Sequence, residues 1–138
     1  DADRHARIEA IFSPFHRIID SCLDDRRCKA AVAIHSFTPV MDGSPRPWDI
    51  GFLYRKDQAT SKTLAAAVGT NDPDLVVGFN QPYQIDDISD WFVPQHGERR
   101  RLPHSLIEVR NDHLCDDLSI ALWTDRLAGA IETLMETL

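Results

Sequence analysis

Glu108 is the residue of this sequence with the most chemistry to explain. It lies in Leu106-Ile107-Glu108-Val109. A strand there turns its carboxylate to the face opposite Ile107 and Val109. A carboxylate among apolar neighbours must be paired or must line a cleft, because desolvating it alone is costly. Arg110 follows two residues on, on the same face and roughly 7 Å along the strand. Two readings stand: a structural Glu–Arg pair on a half-exposed strand, or a general acid or base with a tuned pKa. His35 closes the apolar run Ala30-Ala31-Val32-Ala33-Ile34. Its imidazole could ligate a metal or serve as a hydrogen-bonded structural group. A protein zinc site takes three or four ligands, and the short-spaced signatures His-Glu-x-x-His, His-x-x-Glu and Cys-x-x-Cys do not occur. Arg46 sits between Pro45 and Pro47. A guanidinium held in so rigid a loop could clamp a carboxylate, or could equally pack on Trp48 at the surface. The run Arg99-Arg100-Arg101 resembles a phosphate patch, but in a chain of net charge −7 it reads as a solvated helix end.

These residues need elements to carry them. Ile8, Ile11, Phe12, Phe15, Ile18, Ile19 and Cys22 form one stripe of an amphipathic helix. Ser13-Pro14 interrupts it, as a cap and first helical position or as a kink. Ala30 to Ile34 reads as a strand buried on both faces. The loop Asp42 to Trp48 is rich in turn formers. Ile50 to Tyr54, Leu75 to Gly78 and Ser105 to Arg110 are three more strands. Asp57 is placed to cap a helix carrying Leu64, Ala65 and Val68, with Gly69 as its stop. Asp90 to Arg100 is a further helix that tolerates Pro94 in its first turn. Asp116-Asp117 opens the last helix, whose stripe is Ile120, Trp123, Leu127, Ala130, Ile131, Leu134 and Leu138. The order is α/β, with a sheet of about four strands. In open α/β sheets ligands lie beyond the carboxyl ends of the strands. Those ends carry His35, then Asn80 with Tyr83, then Arg110 with Asn111 and Asp112.

The bulk composition narrows the classes. The chain has 138 residues, 43% of them apolar and 27% charged, values ordinary for one globular domain. With 22 acidic and 15 basic residues the net charge is −7, which disfavours nucleic acid as a partner. No apolar run approaches the ~20 residues of a membrane span. Cys22, Cys28 and Cys115 are an odd set without close spacing, which points to free thiols in a reducing, cytoplasmic compartment.

Several segments resemble the N-formylglutamate amidohydrolase family, in its predicted branch. They are Ile34-His35-Ser36-Phe37-Thr38-Pro39-Val40, Arg46-Pro47-Trp48-Asp49-Ile50-Gly51, Val77-Gly78-Phe79-Asn80-Gln81-Pro82-Tyr83, His96-Gly97-Glu98-Arg99-Arg100 and Leu106-Ile107-Glu108-Val109-Arg110-Asn111-Asp112. They occur in family order and span nearly all of the chain. The resemblance implies a mixed or mostly parallel sheet with flanking helices, like that of the zinc carboxypeptidases and aspartoacylase. It implies a zinc-dependent amidohydrolase acting on a small N-acyl amino acid such as N-formylglutamate. His35 would then be a zinc ligand and Glu108 the base that activates water and later protonates the leaving amine. Arg46, Asn80, Tyr83 and Arg110 would hold substrate carboxylates. The family's first two zinc ligands and an Asn-Arg pair come from an earlier strand and loop whose pattern does not occur between Asp1 and Leu138. The expectation is therefore a single α/β unit that forms the C-terminal portion of a larger catalytic domain. Two alternatives are a non-catalytic carboxylate-binding domain and a piece inactive by itself.

Overall fold

The computed structural model describes residues 2–88 and 90–138. The chain enters through α1 (Ala2–Arg7), a π-helical turn at Ile8–Phe12 and α2 (Ser13–Leu23), with Pro14 in the first turn of α2. Then come β1 (Ala31–Phe37), β2 (Val40–Met41), β3 (Ser44–Pro45) and β4 (Ile50–Leu53). After α3 (Gln58–Asn71) and β5 (Val77–Phe79), a π-helical turn at Phe92–Glu98 leads to β6 (His104–Arg110). A short 3-10 turn at Asn111–His113 precedes α4 (Asp117–Glu136).

The four longer strands form one sheet in the order β1-β6-β4-β5. β1 runs parallel to β6, and β5 parallel to β4, but β4 is antiparallel to β6. The sheet is thus mixed, as one of the expected forms had it. The single reversal matters for the site. It sends the carboxyl ends of β4 and β5 to the edge opposite those of β1 and β6, so the strand ends do not all gather at one crevice.

Alternation along the strands sorts the two faces. Ile50, Phe52, Ile107 and Val109 point to one side, where they pack with Leu64 and Val68 of α3 and Trp123, Leu127, Ala130 and Leu134 of α4. The other side holds a smaller cluster of Leu53, Leu106 and Val93, joined by Ala33, Ile85 and Phe92. The helices start where their caps dictate. The Asp57 carboxylate accepts the Thr60 N–H at 3.1 Å, and Asp116 forms a capping box with Ser119.

Several expectations change. α3 runs through Gly69 to Asn71 and stops before Asp72-Pro73. An interior glycine costs a helix only about 1 kcal/mol, whereas the residue before proline is driven out of helical geometry. β1 is not buried on both faces: it is an edge strand, and Ile34 is 54% exposed. Ile120 and Leu138 of the α4 stripe are exposed too. The apolar stripe of the first helices finds no core, and none of their described residues is buried. The turn-rich loop hides a two-residue hairpin, β2–β3, turned by Asp42 and Gly43 at positive φ (49° and 76°). That is the geometry an Asp-Gly pair favours.

Candidate active site

One row of the sheet organises the site. In register across the strands stand His35 of β1, Glu108 of β6, Gly51 of β4 and Gly78 of β5. All four face the side away from α3 and α4. The two glycines leave a trough. A Cβ on Gly51 would fall 1.9 Å from the Gln81 carbonyl oxygen, and one on Gly78 would strike Trp48 at 2.8 Å. The segment after β5 uses that space. Asn80 adopts a left-handed φ of 52° and turns the chain back, and Gln81-Pro82, a cis peptide, lies in the trough. Tyr83 is thereby carried over the face that bears Glu108.

Glu108 is 5% exposed. Its Oε2 has no hydrogen-bond partner among the described residues. Its Oε1 lies 3.7 Å from His35 Nδ1, too far for a hydrogen bond. Burial pushes its pKa up to about 7, and the nearby positive charge of Arg46 limits the rise. His35 itself is half open, with its side chain 53% exposed. Beside Glu108 is a small cavity of roughly 120 Å³, lined among others by His35, Tyr83, Asp90 and Leu106. At its rim Arg46 Nη1 donates to the Tyr83 hydroxyl at 2.9 Å. The guanidinium also lies over the Tyr83 ring, 4.9 Å from the centroid, and 5.9 Å from that of Phe37. A buried carboxyl that titrates near neutrality, faced by a cation and a cavity, can take up and return a proton at working pH.

Four of the six residues singled out from the sequence therefore meet: His35, Glu108, Arg46 and Tyr83. The other two are turned to different partners. Asn80 Oδ1 accepts the Tyr54 N–H at 2.9 Å, at the far edge of the sheet. Arg110 shares the face of Glu108, but its guanidinium is engaged by Asp49, Asp112 and the Pro47 and Trp48 carbonyls. Phe37, Asp90 and the two glycines are site residues that were given no role from the sequence, although Phe37, Gly51 and Gly78 lie inside the family-like segments. Phe37 had a signal, since period two places it two steps beyond His35 on the same face. Asp90 had none, because it reaches the cavity only through the loop that folds back.

The metal expectation meets a plain test. Among the described residues, no three His, Cys, Asp or Glu side chains gather where they could hold an ion. His35 offers one imidazole, and the described residues do not by themselves fit a complete zinc centre.

The sequence pattern of the N-formylglutamate amidohydrolase family matches residues 1–115. The chain belongs to that family. Among solved structures, the crystal structure of gene product Atu2144 from Agrobacterium tumefaciens matches this N-formylglutamate amidohydrolase family chain with a TM-score of 0.83 and 27% identity. The match covers 99% of this chain and 56% of that one, so the chain spans little more than half the length of that relative. No curated protein matches the sequence. No helix of the described residues is long and apolar enough to cross a membrane, and the three cysteines are free thiols.

Proposed function

We propose that this chain supplies the proton-transfer and carboxylate-binding side of an amidohydrolase site for a small N-acyl amino acid such as N-formylglutamate. The observation that carries the reading is Glu108, buried, unpartnered at Oε2 and held near pKa 7 beside a cavity. In amide hydrolysis water adds to the acyl carbon and the C–N bond breaks. Glu108 takes the proton of the attacking water and returns it to the departing amine. Arg46, steadied by Tyr83, receives the substrate carboxylate as a charge-assisted pair. Arg110 supports the Arg46 loop from behind, through its bonds to the Pro47 and Trp48 carbonyls and Asp49.

Zinc dependence belongs to the proposal through His35 alone. Its half-exposed imidazole is free to act as one ligand, and the remaining ligands must come from outside the described residues. A zinc ion would supply electrophilic polarisation of the acyl oxygen and acidify water.

The test uses the full-length protein that carries this chain, purified with zinc. Formate and free glutamate are followed during incubation with N-formylglutamate. Glu108→Gln is expected to lower kcat by at least about 100-fold while leaving bound zinc unchanged, and His35→Ala to lower bound zinc. Full activity of Glu108→Gln would overturn the reading. Saturable glutarate binding without turnover of any small N-acyl amino acid would favour a carboxylate-binding module instead.

A further inference from the structure

Arg110 stands two residues from Glu108, and its guanidinium has no free direction. Nε donates to Asp112 Oδ1 at 2.8 Å. Nη1 donates to the Pro47 and Trp48 carbonyls at 3.3 and 3.2 Å. Nη2 lies 3.0 Å from Asp49 Oδ1 and 3.1 Å from His113 Nε2. His113 Nε2 in turn lies 2.8 Å from the same Asp49 oxygen, and its ring packs on Trp123 of α4 at 5.5 Å. The second Asp49 oxygen accepts the Val76 N–H at 2.8 Å. The main chains close the figure: Arg110 N–H donates to the Asp49 carbonyl, and Asp49 N–H to that of Val76. The bonds to the Pro47 and Trp48 carbonyls and to Asp49 grip the segment 47–49, the stretch directly after Arg46, while Asp112 and His113 hold the guanidinium and the Asp49 carboxylate in place. From its other side the Trp48 ring drops into the space that Gly78 leaves.

We propose that Arg110, Asp49 and His113 form a clasp that positions Arg46 over Tyr83 and Glu108, and that Arg110 is a positioning residue and not a ligand for substrate. A planar guanidinium has five N–H donors, and here they face two carboxylates and two carbonyls, with the His113 ring, whose Nε2–H donates to Asp49, packed beside Nη2. An incoming carboxylate would have to displace Asp49 and release the loop that carries Arg46. The Arg46 guanidinium, by contrast, meets a tyrosine hydroxyl, the Met41 thioether and two aromatic rings among the described residues, and it lies near the Glu108 carboxyl. It keeps donors for an anion. The inference rests on the proposal that Arg46 receives the substrate carboxylate, yet its geometry can be tested apart from that.

The test uses the full-length protein that carries this chain, the unreactive probe glutarate, and NMR of the Tyr83 ring. Asp49→Asn separates the two roles by sign. If Arg110 were a substrate ligand, removing its competing carboxylate would leave glutarate binding unchanged or tighter. If the clasp sets Arg46, Asp49→Asn and Arg110→Lys each weaken binding, by about tenfold for a displacement near 1 Å or less. Lysine cannot reproduce the fork that spans several acceptors. In both variants the Tyr83 ring signals are expected to move toward their positions in Arg46→Ala, with the methyl signals of α3 and α4 unchanged. Tyr83 signals that stay at their wild-type positions, or tighter glutarate binding in Asp49→Asn, would overturn the clasp. If the wild-type chain fails to bind glutarate, the carboxylate-binding role of Arg46 falls, and the Tyr83 signals alone decide the clasp.

Discussion

At the scale of the residue, Glu108 sets the terms. Its carboxyl is held at about 7, against an ordinary value of 4.5, because burial disfavours the charged form. Between those two values the folded chain keeps a proton that the unfolded chain has lost. Stability therefore falls as pH rises through that window. A shift of this size corresponds to on the order of 3 kcal/mol lost by pH 8. Glu108→Gln removes the titration. The variant is expected to match wild type near pH 4 and to exceed it at pH 8, read from urea midpoints at the two pH values. Parallel pH dependence of the two proteins would show that Glu108 carries no such penalty. The sequence already singled out this residue, since a carboxylate flanked by Ile107 and Val109 must have a reason to be there. It left the partner open, and it named Arg110. The structure pairs Arg110 with Asp49, a residue 61 positions away, as the difference 110 − 49 gives. Local spacing carries no information about such a contact.

At the scale of the element, the first helices are held by few groups. His16 Nδ1 lies 2.7 Å from His96 Nε2, and His96 Nδ1 lies 3.2 Å from Asp20. Arg100 ties Asp20 and Asp24 to the same spot, with Phe12 packed on Trp91. One imidazole must donate and the other accept, so the pair works only with both rings uncharged or one proton removed. Burial lowers the pKa of both rings below the usual 6.5, and Asp20 partly opposes this. The folded chain thus refuses protons that the unfolded chain accepts. The stability is fully present above about pH 6.5 and is lost as pH falls toward the folded values. Amide protection in residues 13–23 is expected to drop below pH 6.5 before that of β6 or α3, as measured by hydrogen exchange corrected for intrinsic rates. Equal loss in all three would refute the pair as the anchor. The existence of the helix was legible from its apolar stripe. Its docking was not, because the stripe of Ile11, Phe15 and Ile18 points outward and the anchoring surface is the polar side.

For the whole molecule, the mixed sheet explains most of what periodicity could and could not give. Four strands and both long helices followed from apolar runs, helical stripes and caps, at Asp57 and Asp116 above all. Strand direction did not, because alternation is blind to polarity; the reversal between β4 and β6 moved Asn80 away from the site. The same topology leaves β1 paired on one side only among the described residues. Next to it runs an apolar groove of about 340 Å³ between Ile34 and the Ile120, Trp123 and Leu127 side chains of α4. An uncovered edge beside apolar surface favours association. The chain is expected to show concentration-dependent sedimentation, reduced in Ile34→Lys. Identical concentration dependence in that variant would place the contact elsewhere.

The trough above Gly51 and Gly78 also shapes access to Glu108. With Gln81-Pro82 lying in it, the β4 side of Glu108 is walled by main chain instead of by side chains that could swing aside. α3 and α4 close the reverse of the sheet. On the β1 side stands His35, whose side chain is 53% exposed. Among the described residues the open flank of the carboxyl is therefore the β1 side, so whatever adjoins that strand bears on what reaches Glu108.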